Sequence, residues 1–435
     1  MRIVHITAGA GGRLCGSCLH DNTLVRALLA RGCDAILLPA YVPTTTDEEN
    51  VAESRIVMGG VNVWLQEHVA VFRHTPWFLD RLLDSPRLLT WLSSRTAKTR
   101  PADLGSLTVS SLQGERGHQR KEIEKLCRLL AREFRPDVVH LSNALLLGMA
   151  RRIRETTGAA IACSLSGEDI FIEKIPEPAY SQIRDLLRER AHDIDRFVAL
   201  NGFFADFMAE YLAVPRDRIV VIHHGIDTRG EEALPRDRHA RRHDRKSQFV
   251  IGSLARACPE KGLDLLVQAL PLVREKHDAT LRAAGAVVDA ERDYIARCLK
   301  TARDVGVAEH VTWLGQVDRN EKLALLESLD LFAMPTVFPE AKGIPVIEAM
   351  AAGVPIVAPA HGTFPELLDD EQAGRLHAPS DAAGLARAII DLLDDATARM
   401  RMAAHGHALV RRRHLADQMA AGHEDLYRQI ASGRR

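Results

Sequence analysis

The feature that most constrains the fold is a rhythm that runs twice along the chain. Short runs rich in Val, Ile and Leu alternate with longer stretches of helical period: "RIVHIT", "NTLVRALLARG" and "DAILLP" come first, and "DVVHLS", "AAIACSL", "RFVAL" and "RIVVI" follow. Short apolar runs separated by helix-like sequence are the signature of a parallel sheet covered by helices. The rhythm stops at residues 229–247, "RGEEALPRDRHARRHDRKS", which has almost no apolar residues and reads as an exposed linker. It resumes with "FVIGSLA", "ATLRAAG", "HVTWLG", "LDLFAMP" and "VPIVAP".

The expectation is therefore α/β, with two doubly wound, Rossmann-like domains. They are expected at residues 1–228 and 248–412, joined by the 229–247 linker. A length of 435 residues agrees, being too great for one core. The segment 413–435 contains "LADQMAAGHEDLYRQI", an amphipathic helix expected to pack back on the first domain.

Charge and cysteine content exclude several classes. The 57 basic residues nearly cancel the 58 acidic ones, so no global field points to nucleic acid. Seven dispersed cysteines do not resemble a secreted disulfide scaffold. No segment approaches the roughly 18 uninterrupted apolar residues of a membrane span, and "MRIVHITAGA" is no signal peptide. The expected setting is the cytoplasm. Residues 72–94, "FRHTPWFLDRLLDSPRLLTWLSS", read as two short helices split by Pro86 and folded onto the core. A second reading is a hydrophobic lip for a lipid-linked substrate or a membrane surface.

The densest chemistry lies at 335–353, "PTVFPEAKGIPVIEAMAAG", where a strand end runs through a loop into a helix starting near Gly343. Glu340 sits in the loop and Glu348 about one turn into the helix, so both carboxylates can border a crevice at the strands' carboxyl ends. Open amides of Lys342, Gly343 and Ile344 at a helix amino terminus suit a diphosphate. Upstream, "SLARACPEKGLDLL" places Arg256 and Lys261 in one loop, where two cations can clasp a phosphate pair.

These stretches, with "RAAGAVVDAERDYI" and "AGRLH", resemble the retaining glycosyltransferases of family 4 (group 1), which have the GT-B fold. The likeness is close over about 248–395 and loose in the first domain. It implies a UDP-, GDP- or ADP-sugar donor bound mainly by the second domain and a hydroxyl acceptor bound mainly by the first. Glu348 would hold the donor ribose, Glu340 the transferring sugar, and Arg256 and Lys261 the diphosphate. Retention at the anomeric carbon is likewise implied by the resemblance.

The family has a Gly-Gly turn after its first strand. Counting back from Arg31 and Gly32, those glycines fall on Cys15 and Gly16, so "AGGRLCGSCLHDN" reads as the phosphate-facing turn, with Gly16 giving the close backbone approach. Cys15 and Cys18, with His20, have no second ligand pair at zinc-ribbon spacing, and packing of a tight turn is the leading reading. The usual acceptor-side imidazole is missing: Ser166 stands in its place, and "HLSN" offers only His140 and Ser142. Asp169 matches the acidic residue that follows, with Glu168 and His20 as further acceptor-side candidates. No metal is expected, and the Asp-x-Asp pair Asp193 and Asp195 reads as a helix end. A sugar-nucleotide epimerase or hydrolase, or a non-catalytic sugar-nucleotide-binding protein, are the alternatives on the same architecture.

Overall fold

The computed structural model describes residues 1–9, 15–73, 104–228, 248–287 and 291–433. The chain divides into two compact units, Met1–Gly225 with Ala416–Arg435, and Ile226–Leu415. The expected linker and residues 74–94 of the apolar segment lie outside the described residues; Phe72 and Arg73 close a 3-10 turn, Ala70–Arg73.

In the first unit six parallel strands form one sheet: β1 (Arg2–Thr7), β2 (Asp34–Pro39), β3 (Val138–Leu141), β4 (Ala160–Ser164), β5 (Arg196–Ala199) and β6 (Ile219–Val221). Their order is β2-β1-β3-β4-β5-β6. β3 and β4 are buried at every residue, as strands covered on both faces must be. The chain runs from β1 outward to β2 and then crosses to β3 on the other side. The loops after β1 and β3 therefore diverge at a switch point, the place where such sheets bind ligands.

The second unit repeats the plan with β7 (Phe249–Leu254), β8 (Ala279–Ala284), β9 (Val311–Trp313), β10 (Leu331–Ala333), β11 (Ile356–Pro359) and β12 (Gly374–His377). Its order is β12-β11-β10-β7-β8-β9, all parallel, so its switch point lies between β7 and β10. One face of this sheet packs under Leu266, Leu270, Ile389 and Leu392, the other, which carries Phe332, under Val346, Met350 and Phe364. Both doubly wound sheets stand as expected.

The terminal helix, Ala416–Ser432, belongs to the first unit. Tyr427 lies in that unit's core, and Arg31 pairs with Asp417 at 2.8 Å and Glu424 at 3.1 Å. The expected boundaries are displaced. Arg413 ends the preceding helix, and Leu415 bridges to Ile226, whose amide donates to the His414 carbonyl at 2.8 Å. Those bonds commit residues 226–228 and 413–415 to the second unit.

Candidate active site

Lys261 of the β7 loop is positioned by a short turn. Pro259–Lys261 forms one 3-10 turn, ended by Gly262 at φ +70°. A Cβ there would stand 1.9 Å from the Pro335 carbonyl oxygen, so only glycine lets the β7 loop press against the loop after β10. Lys261 Nζ consequently reaches the Glu340 carboxylate and donates to its Oε2. Glu340 is 8% exposed, and its Oε1 accepts from the Lys342 amide at 3.2 Å. Burial alone would raise this carboxyl; Lys261 and the Lys342 amide outweigh it and hold it below the usual range. Glu340 is thus a carboxylate at neutral pH. Its backbone is clamped as well, with its carbonyl accepting from the Thr363 amide at 2.8 Å.

The helix Ile344–Ala351 begins directly after Gly343. Its second residue, Pro345, has no N–H, and among the described residues the Gly343 and Ile344 amides have no acceptor. Only two of the three expected open amides remain, because the turn folds the Lys342 amide back onto Glu340. Glu348 lies one turn along. Its Oε1 accepts from Lys322 Nζ at 2.6 Å, and both side chains are largely buried.

Arg256 is about half exposed, with Nη1 3.6 Å from Glu291 Oε1. Glu291 forms, with Cys258 and Glu260, the one group of three potential metal ligands among the described residues. Burial pushes the Cys258 thiol up to about 11, which keeps it protonated and a poor ligand at neutral pH. Neither Cys15, Cys18 nor His20 belongs to that group.

The first unit departs further from expectation. Gly16 is the exposed first residue of the helix Gly16–Ala30, with Cys15 extended at φ −135° before it. Residues 10–14 of the opening stretch lie outside the described residues. Glu168 is a structural residue, because its Oε1 accepts from the Ala144 amide at 3.0 Å and its Oε2 from the Ser166 amide at 2.7 Å, tying together the loops after β3 and β4. Asp169 differs. It is 4% exposed, Oδ1 has no partner among the described residues, and burial, helped by Glu168, pushes its carboxyl up to about 6. Asp193 and Asp195 pair with Arg151 and Arg154, and Asp195 also accepts from the Ile161 amide.

His20 is not on an acceptor surface. It is buried in a cluster with His5, His140, His224 and His423, its Nδ1 2.7 Å from His224 Nδ1. His140 is satisfied at both nitrogens, by Tyr427 Oη at 2.5 Å and Ser164 Oγ at 2.8 Å. Reading the motifs missed this cluster and Lys322. A signal for the former existed: His5 and His140 occupy matched positions of neighbouring strands.

No helix among the described residues is long and apolar enough to cross a membrane. Residues 235–408 match the family model of glycosyl transferases group 1, and 109–229 that of glycosyltransferase family 4. A phosphatidyl-myo-inositol mannosyltransferase of Mycobacterium leprae (strain TN) is 36% identical over 35% of this chain and 39% of its own length. A GDP-mannose-dependent alpha-(1-6)-phosphatidylinositol monomannoside mannosyltransferase of Mycolicibacterium smegmatis is 30% identical over 58% of this chain and 65% of its own. The chain thus spans less than two thirds of either relative. Sucrose-phosphate synthase from Thermosynechococcus elongatus superposes with a TM-score of 0.72 at 17% identity, over 100% of both chains. Anabaena HepE in complex with UDP gives 0.68 at 18%, over 99% of this chain and 100% of its own. These structures share the GT-B fold. With two glycosyltransferase models covering more than half its length and reaching into both units, the chain belongs to the group 1 glycosyltransferases.

Proposed function

We propose that this glycosyltransferase moves a sugar from a nucleoside diphosphate to a hydroxyl acceptor, with retention at the anomeric carbon and without a metal ion. The observation that carries this reading is the convergence at the β7/β10 switch point of Lys261, an ionised Glu340 and the two acceptor-less amides of Gly343 and Ile344. In it, Lys261, Arg256 and the amides hold the diphosphate and stabilise the charge that grows on it as it leaves. Glu340 holds the transferring sugar as its ring gains positive charge, and Glu348 holds the ribose. The leaving diphosphate takes the acceptor proton on the same face, so no protein nucleophile is needed. Asp169 lies on the acceptor side.

Relatives named for GDP-mannose and a fold neighbour crystallised with UDP support a nucleotide-sugar donor. The names of the mannosyltransferases point to a phosphatidylinositol-type acceptor and hence to work at a membrane surface. The test is incubation with UDP-, GDP- and ADP-sugars, following free nucleotide with and without phosphatidylinositol or soluble hydroxyl acceptors. Acceptor-dependent release, equal in EDTA and Mg²⁺, is the expected result. Release that ignores acceptors would mean a hydrolase, and binding without release a non-catalytic protein.

A further inference from the structure

Glu348 is fixed by a residue that no motif marks. Lys322 lies in the first turn of the helix Arg319–Ser328, whose start is set by a capping box: Asp318 accepts from the Glu321 amide, and Glu321 accepts from the Asp318 amide. That box aims Lys322 at Glu348 on the neighbouring helix. Nζ donates to Oε1 at 2.6 Å, and the two side chains are only 10% and 12% exposed. Desolvating a lysine and a glutamate is costly, and an apolar pair of similar shape is often at least as stable, so stability alone gives little reason for this pair. Its geometry supplies another. The lysine engages Oε1, and among the described residues Oε2 makes no hydrogen bond.

We propose that Lys322 is a positioning residue for donor binding: by holding Glu348 Oε1 it fixes Oε2 where the vicinal hydroxyls of the donor ribose donate to it. The inference rests on Glu348 being the ribose ligand. A carboxylate anchored at one oxygen loses little further rotamer freedom when it takes the ribose. The neutral pair also adds no net negative charge beside an anionic donor.

The test is a double cycle on the full chain by titration calorimetry. UDP, GDP and ADP, and the 2′,3′-dideoxy forms of each, are bound to wild type, Lys322→Met, Lys322→Arg and Glu348→Gln. For the nucleotide that wild type binds, Lys322→Met is expected to weaken the ribose form about tenfold, roughly 1.4 kcal/mol. The dideoxy form should change by less than about twofold, and Lys322→Arg should restore most of the loss. Equal weakening of both forms would overturn the inference, since Lys322 would then act on base, phosphate or folding. So would an unchanged ribose form. Should Lys322→Met melt without ligand, Lys322→Gln, which keeps a donor but no charge, takes its place in the same cycle. If wild type does not distinguish ribose from dideoxy forms, or Glu348→Gln keeps the distinction, the assignment of Glu348 itself fails. If no nucleotide binds, the proposed function falls and this inference with it.

Discussion

The two units share a topology but dispose of their polar residues in opposite ways. In the second, Lys261, Glu340, Lys322 and Glu348 pair on the loops and helices that follow β7, β9 and β10, at the carboxyl end of the sheet. In the first, five imidazoles turn inward between the sheet and the helices Gly16–Ala30 and Ala416–Ser432, with Asp21 held by Thr7 at 2.7 Å and by His5 at 3.1 Å. Asp169 there is buried, and its Oδ1 has no hydrogen-bond partner among the described residues. The lesson is that residue type does not mark function. Histidines, the side chains best suited to proton transfer, here hold β1, β3 and the terminal helix together, while lysines and glutamates face the second unit's switch point.

The largest effect is expected at Lys261. Lys261→Ala is expected to lower kcat/KM about a thousandfold, the cost of losing a charged donor worth ~4 kcal/mol in the transition state. Steady-state kinetics checks this, with folding followed by thermal melting; a loss below about tenfold would remove Lys261 from the chemistry.

Next in size is Asp169. A carboxyl near 6 is ionised at neutral pH, so if its charge is used, activity falls as pH drops through about 6. Asp169→Asn should cut kcat by about a hundredfold and abolish that acidic limb. An unchanged limb would assign it to another group.

The histidine cluster sharpens the contrast through stability. Burial, with neighbouring imidazoles, holds His20 and His140 well below 6.5, and burial brings His423 to about 4. The folded state therefore binds fewer protons than the unfolded one. Stability is full above about 6.5 and is lost as pH falls from there towards about 4, by up to about 1.4 kcal/mol per pH unit for each imidazole. Hydrogen exchange at pH 7.5, 6.0 and 5.0, corrected for intrinsic rates, should show protection lost in Ala416–Ser432 before Ala382–Asp394 of the second unit. Loss in the reverse order would contradict the reading of the cluster. The smallest effect is expected at the opening stretch, where the double change of Cys15 and Cys18 to Ala should leave melting within a few degrees. About one tightly bound zinc per wild-type chain would overturn that.

Much of the second unit was legible because its chemistry lies in contiguous loops. The spacing of Glu340, Gly343 and Glu348 follows one strand, one turn and one helix, so counting residues already places them. Lys322 was illegible, since it meets Glu348 only through the packing of two helices, and the Lys342 amide was misread because its partner depends on how the loop folds back. In the first unit the likeness in sequence was loose, and where the helix of the opening stretch begins, at Gly16, was not read from it. His20 and Glu168 looked like site residues because a partner of each, His224 and the Ala144 amide, is distant in sequence.

If the second unit's two glutamates grip different parts of one donor, steady-state kinetics on Glu340→Gln and Glu348→Gln will separate them. Glu348→Gln should mainly raise the donor KM, because the ribose does not react. Glu340→Gln should mainly lower kcat, by about tenfold to a thousandfold, because the sugar gains charge in the transition state. Full kcat in Glu340→Gln with kcat lost in Glu348→Gln would contradict the account.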